Sequence, residues 1–204
     1  GKVLNKDDLD EIENFGRYLD VDNDGICYRT YPGTHPEKGA FFTRGTSHDE
    51  YARYTEDGEV NAATLSRLMK KFRTASELVP EPVIEINGED SCGVIFYGST
   101  SPAVHEAKDI LKEKEINIDL MQIRSFPFNL DVWEFIANHD RIYVVEQNRD
   151  SQMRTLIMAE GGISPEILRP LVHFTGDPIQ ASYIVNKISE REVNYKSHIN
   201  AKKR

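Results

Sequence analysis

The run Gly93-Val94-Ile95-Phe96-Tyr97 is unbroken by any charged residue and is followed at once by Gly98-Ser99-Thr100-Ser101-Pro102. A continuous apolar run, rather than an alternating one, reads as a strand buried on both faces, the condition of a parallel sheet. Ser101 is placed as an N-cap with Pro102 at the first helical position, opening a helix to about Lys114. The same alternation continues downstream. Ile116 to Ile123 reads as a strand, Asn129 to Asn138 as a helix and Arg141 to Gln147 as a strand. Asp150 to Glu160 then reads as a helix, Leu171 to Phe174 as a strand and Pro178 to Arg191 as a helix. This order implies an α/β domain, an open, mostly parallel sheet with helices on both faces. Ahead of it, Val83 to Ile86 is a short strand and Asn87-Gly88-Glu89-Asp90 a turn, so the local reading of Val83 to Tyr97 is a hairpin.

Val79-Pro80-Glu81-Pro82 is the strongest break in the chain and sets the expected boundary between residues 1–82 and 83–204. The first part is an irregular and helical segment. Residues 4–20 carry a helical pattern in Leu9, Ile12, Phe15 and Leu19, with Asn5 or Asp7 as cap. Val60 to Ser76 carries another in Leu65, Leu68, Met69 and Phe72, with basic residues toward its C-terminal end. Between them, Tyr28 to Asp57 fits neither helix nor strand. Irregular backbone of that length is uncommon unless it is functional or disordered. Its aromatics and the apolar centre Gly39-Ala40-Phe41-Phe42 argue against disorder, leaving a site built of loop.

A chain of 204 residues accommodates one full domain with an appendage, or two small domains. The net charge of −9 argues against nucleic acid as a partner, and the short basic run Ala201 to Arg204 reads as a frayed tail. Two cysteines, Cys27 and Cys92, cannot make a disulfide framework or by themselves hold an iron–sulfur cluster or structural zinc. No stretch approaches the ~20 apolar residues of a membrane span. No signal peptide is visible, so the expected setting is cytoplasmic. The first residue is Gly1 rather than methionine, and the expectation is a piece excised from a longer protein.

Ligands of such sheets gather at the loops beyond the carboxyl ends of the strands. Ser99 and Thr100 offer hydroxyls at a helix N-terminus, which suits either an anion or ordinary capping. Arg124, Asn148 and Arg149 occupy neighbouring loops, and the arginines either face the same ligand or pair with Glu146 and Asp150. No G-x-G-x-x-G or Walker sequence is present. Asp20-Val21-Asp22-Asn23-Asp24-Gly25 resembles the opening of a calcium-binding EF-hand loop. Its twelfth position is Tyr31, and the alternative is an Asp/Asn-rich turn. Within the irregular stretch, Arg29 and Arg44 can each grip a carboxylate through two hydrogen bonds, with Thr30, Thr34, Thr46 and Ser47 as neutral donors. The competing reading is a strap whose arginines pair with Asp49, Glu50, Glu56 and Asp57.

The segment DVDNDGICYRTYPGTHPEKGAFFTRGTSHDEYARYTED resembles the alpha subunit of 2-oxoacid:ferredoxin oxidoreductases, in particular the 2-oxoglutarate-type enzymes. VIFYGSTSPAVHEA, IRSFPF and VVEQNRDSQMRTL resemble the next domain of the same subunit, which has the transketolase C-terminal fold. The resemblance runs from about Leu4 to Ile188. It implies a three-layer α/β domain with a five-stranded, mostly parallel sheet in the order 1-3-2-4-5, the first strand antiparallel. That order overrides the local hairpin.

The resemblance further implies part of an enzyme that oxidatively decarboxylates a 2-oxoacid such as 2-oxoglutarate, forms an acyl-coenzyme A and passes electrons to ferredoxin. Thiamine diphosphate, magnesium and iron–sulfur clusters would serve the full complex. Their ligands would lie mostly outside this chain, largely on a beta subunit, with none of these groups bound by this chain alone. The lack of a Gly-Asp-Gly motif agrees with this. Substrate recognition falls by position on Arg29 of YRT and Thr34 of PGT, then on Thr46 and His48. Ser99, Thr100, Arg124, Asn148 and Arg149 are the candidates for facing an anion or coenzyme A. The resemblance assigns no catalytic residue here, and the isolated chain is expected to be inactive. The alternative is a stand-alone α/β module for a phosphorylated metabolite or coenzyme A, and a third reading is calcium sensing at Asp20 to Asp24.

Overall fold

The protein is described here by a computed structural model covering residues 2–42, 47–88 and 92–202. It divides into two compact units, Gly1–Leu78 and Val79–Arg204.

In the first unit, α1 (Lys6–Glu11) begins at a capping box, Asn5 accepting from the Asp8 N–H at 3.0 Å and Asp8 accepting from the Asn5 N–H at 2.8 Å. The helical pattern reaches further than the helix. Ile12 is extended, and only Leu9 of the short helix is buried. α2 (Gly58–Ser76) starts at Asp57, whose side chain accepts from the Glu59 and Val60 N–H groups. Among the described residues of this unit the only ladder pairings are isolated bridges, Val3 with Arg29 and His48 with Tyr54.

The second unit is the expected three-layer α/β domain. Its strands are β1 (Val83–Glu85), β2 (Cys92–Tyr97), β3 (Ile118–Ile123), β4 (Ile142–Glu146) and β5 (Leu168–Val172), ordered β1-β3-β2-β4-β5. β1 runs antiparallel to β3 with Ile84 opposite Met121, and every other pairing is parallel. The hairpin does not form. β2 is buried along its length and belongs inside the sheet, whereas Val83 and Ile84 are exposed and suit an edge. Successive side chains of a strand face opposite ways. Val94 and Phe96 meet α3 (Ser101–Glu113) and α6 (Ala181–Lys202) through Val104, Leu111, Ile184 and Ile188. Ile95, between them, meets α4 (Leu130–Ala137) and α5 (Gln152–Gly161) through Val132, Phe135 and Ile157.

Several boundaries differ from the expectation. The last helix, expected over Pro178 to Arg191, runs Ala181–Lys202, and the strand expected from Ile116 begins at Ile118. β5 lies at Leu168–Val172 rather than Leu171–Phe174, because Pro170 is tolerated on an edge strand that pairs only with β4. Ser101 is the first residue of α3 rather than its cap, preceded by a 3-10 turn over Gly98–Thr100 in which Gly98 takes φ +57. Among the described residues no helix is long and apolar enough to cross a membrane.

Candidate functional site

Around Thr30 the chain is extended, with Arg29 and Tyr31 exposed on either side of a buried Thr30. The Leu4 N–H donates to the Arg29 carbonyl at 2.9 Å and the Arg29 N–H to the Lys2 carbonyl at 2.8 Å. In this extended segment Thr30 turns inward and is buried, its hydroxyl donating to the Gly39 carbonyl at 3.2 Å and accepting from Arg17 Nη1 at 3.2 Å. Arg29 therefore turns outward. Its guanidinium is exposed, lies 6.0 Å from the Tyr31 ring and makes no ion pair among the described residues.

Tyr31-Pro32-Gly33-Thr34 then closes as a type II turn, with Gly33 at φ +89 and the Thr34 N–H on the Tyr31 carbonyl at 3.1 Å. The Thr34 hydroxyl makes no hydrogen bond among the described residues. His35 closes the next turn. Its Nδ1 accepts from the Glu37 and Lys38 N–H groups, so Nε2 carries the proton that faces Asp10 at 3.1 Å. Lys38 donates to the Leu9 and Ile12 carbonyls at 2.6 and 2.5 Å, fixing the stretch to the end of α1. A Cβ on Gly39 would stand 2.5 Å from the His35 backbone nitrogen, which leaves room for glycine alone. Arg17, His35 and Lys38 are thus the anchors of this stretch. Nothing in their spacing marked them, since each works through a contact distant in sequence.

His48 is held separately. Its ring stacks on Tyr18 at 3.8 Å, and its Nδ1 donates to the Asp49 carbonyl at 3.1 Å. No hydrogen bond or ion pair joins Arg29, Thr34 and His48 to one another among the described residues. Thr46 and Arg44 lie outside the described residues. A cleft of about 610 Å³ runs along Tyr18, Asp20, Glu50, Glu59, Thr64 and Arg67. With three carboxylates against one arginine, it is not the seat for a carboxylate ligand.

The Asp20 to Gly25 turn is filled by the protein's own cations. Asp20 accepts from the Asp24 and Gly25 N–H groups, and Lys2 bridges Asp22 and Asp24 at 2.6 and 2.7 Å. The hydrogen bond from Lys2 leads the causes that hold the Asp24 carboxyl below its ordinary range. Lys70 of α2 bonds Asn23, and Thr74 donates to the Asp24 carbonyl at 2.5 Å. No group of three or more His, Cys, Asp or Glu side chains among the described residues could hold a metal ion.

In the second unit the sheet order reverses between β2 and β4, the position where open α/β sheets take ligands. The loops that follow these strands meet there. Gln147 Nε2 donates to the Thr100 hydroxyl at 3.2 Å and lies 3.4 Å from that of Ser99, while its Oε1 accepts from the Ile179 N–H. Asn148 reaches back to Glu146 and to the Tyr97 hydroxyl, and its own oxygen accepts from the Asp150 and Gln152 N–H groups. Burial, and then the Glu146 charge, push the Tyr97 phenol up. Arg149 is exposed and grips Asp150 at 2.7 and 3.1 Å. Arg124 is exposed and makes no ion pair among the described residues. Ser99 and Thr100 thus meet Gln147, and Asn148 separately bonds Glu146 and Tyr97. Among the described residues, the guanidinium groups of Arg149 and Arg124 bond neither set.

No family model matches the chain. Comparison with curated proteins finds 2-oxoacid:ferredoxin oxidoreductase 2, subunit alpha, of Aeropyrum pernix, 27% identical over 194 residues and 92% of this chain. Subunit alpha of the 2-oxoacid:ferredoxin oxidoreductase 1 of Sulfurisphaera tokodaii is 27% identical over 184 residues and 87% of this chain. The chain is a relative of 2-oxoacid:ferredoxin oxidoreductase alpha subunits. It spans 28% and 27% of the length of these two relatives. Among solved structures, the 2-oxoglutarate:ferredoxin oxidoreductase of Magnetococcus marinus matches with a TM-score of 0.76 and 23% identity. That match covers 89% of this chain and 31% of the other. At that identity the likeness establishes the fold. The Magnetococcus enzyme was solved with 2-oxoglutarate, coenzyme A and succinyl-CoA bound.

Proposed function

We propose that this chain is part of the alpha subunit of a 2-oxoacid:ferredoxin oxidoreductase and contributes substrate recognition and subunit assembly. The complex would decarboxylate a 2-oxoacid such as 2-oxoglutarate oxidatively, form the acyl-coenzyme A and reduce ferredoxin. The observation that carries this reading is the similarity to alpha subunits over 92% of the chain. Residues 1–82 are the recognition segment. Arg29 binds the substrate carboxylate through two parallel hydrogen bonds, a role that suits an exposed guanidinium with no ion pair among the described residues. The Thr34 hydroxyl adds a neutral donor, and Thr46 and His48 complete the site.

Residues 83–204 are the assembly domain, and the loops after its parallel strands, with Ser99, Thr100, Arg124, Asn148 and Arg149, face coenzyme A. Thiamine diphosphate, magnesium and iron–sulfur clusters belong to other segments and to a beta subunit. The setting is cytoplasmic, and the chain alone is inactive.

The test is reconstitution of the full-length alpha subunit with its beta subunit. Ferredoxin reduction that depends on both a 2-oxoacid and coenzyme A is the expected result, with no activity from this chain alone. Failure with every 2-oxoacid tried would reject the assignment. Calorimetry of the isolated chain with coenzyme A separates the stand-alone module from the subunit, since micromolar binding would favour the module.

A further inference from the structure

A turn downstream of α1 holds both halves of the recognition segment. The Leu19 N–H donates to the Gly16 carbonyl at 3.1 Å, which closes four residues with Arg17 and Tyr18 at the centre. Gly16 is buried, and a Cβ there would stand 2.9 Å from the Glu50 carbonyl oxygen. The Tyr18 N–H donates to that same carbonyl at 2.9 Å, so the turn is docked through its backbone. Its two central side chains then diverge. Tyr18 stacks on the His48 ring, and Arg17 reaches the extended segment that carries Arg29.

The contacts of Arg17 suit a guanidinium. Its Nη1 lies 3.2 Å from the Thr30 hydroxyl and 3.4 Å from the Thr30 carbonyl oxygen, and its Cζ lies 3.2 Å from the centre of the Phe41 ring. A flat cation can stack on the ring and aim an N–H at Thr30 at once, whereas a lysine ammonium is a point charge. Thr30 is 2% exposed and extends the hold to the return of the loop by donating its hydroxyl to the Gly39 carbonyl. Consecutive side chains of extended backbone point opposite ways. Holding Thr30 inward therefore holds Arg29 outward, and Arg29 has no ion pair among the described residues to aim it.

We infer that Arg17 is a positioning residue of the proposed substrate site, acting on Arg29 through Thr30 without touching the substrate. The inference rests on the reading of residues 1–82 as the recognition segment. Arg17 fixes the direction of the Arg29 stem in advance, so little ordering remains when a carboxylate binds. Without Arg17, Arg29 keeps its charge and its paired donors but spreads over more orientations.

The test is a double-mutant cycle in the full-length alpha subunit reconstituted with its beta subunit. Arg17→Met and Thr30→Val are prepared alone and combined with Arg29→Ala. The Michaelis constants for the 2-oxoacid and for coenzyme A are measured with kcat. Thr30→Val keeps the shape of the buried side chain and removes its hydroxyl, which covers the case that Arg17→Met does not assemble. The expected result is a 2-oxoacid constant raised about tenfold in Arg17→Met, with kcat and the coenzyme A constant within about twofold of the wild type. Thr30→Val should change in the same direction, and Arg17→Lys should fall between Arg17→Met and the wild type. In the Arg29→Ala background the same substitutions should add less than about twofold, because no guanidinium is left to aim. An undiminished effect in that background, a parallel rise in the coenzyme A constant or a wild-type constant in both variants would overturn the inference. An unchanged constant in Arg29→Ala alone would reject the recognition reading, and the inference with it.

Discussion

The Glu146 carboxylate, fully buried, accepts a hydrogen bond from the Asn148 side-chain amide at 2.8 Å, across a two-residue separation. The same carboxylate accepts from the Met153 and Arg154 N–H groups at 2.7 and 3.0 Å. It thereby caps α5, whose preceding residue Ser151, at φ +52, makes no side-chain cap. Removing it with Glu146→Ala leaves buried donors without an acceptor, and the expected loss is about 2–4 kcal/mol. Urea denaturation followed by circular dichroism measures it. A loss within about 0.5 kcal/mol would show that the cap contributes little.

Acid should weaken the fold through Asp24 and Glu85. Hydrogen bonds from Lys2 and from Lys108 respectively lead the causes that hold these carboxyls below their ordinary values. In the unfolded chain such groups titrate near pH ~4, so just below that pH the unfolded state binds more protons. Their contribution is therefore complete above pH ~4–5 and is lost as the pH falls through the lower folded values. The urea midpoint is expected to fall between pH 6 and pH 3, and less steeply in Lys108→Ala. A midpoint that holds constant over that range would contradict these pairings.

Calcium should not stabilise the chain. The Lys2 ammonium already lies between Asp22 and Asp24, and both oxygen-rich ends of the turn are engaged by N–H groups or by α2. The melting temperature is expected to be the same in millimolar calcium and in chelator. A calcium-dependent rise would restore the ion-binding reading of Asp20 to Asp24.

The layers of the second unit were legible because each element carries its own signal. β2 is an apolar run and β4 is one up to its last residue, Glu146, and both are buried on two faces. Strand order was not legible locally. The turn at Asn87-Gly88 suggested a hairpin, and only the resemblance placed β1 against β3. Pro170 displaced the reading of β5, since its cost depends on whether the strand lies at an edge. The helical pattern of α2 was clear, but periodicity reports which residues share a face and not whether that face turns inward. In the candidate site, Arg29 and Thr34 stood out by residue type and motif. Their anchors Arg17, His35 and Lys38 act across long loops, and Glu146 reads as an ordinary strand residue until the N–H groups of α5 are brought to it.

The central claim is that Arg29 recognises a 2-oxoacid carboxylate, and the Michaelis constant of Arg29→Ala in the reconstituted full-length complex tests it most directly. Charge-assisted hydrogen bonds contribute about 1.5–3 kcal/mol, so the constant for the 2-oxoacid is expected to rise about 10- to 100-fold. Subunit assembly and cluster content should stay as in the wild type, and Arg29→Lys should fall between the two. An unchanged constant in Arg29→Ala would remove Arg29 from the site.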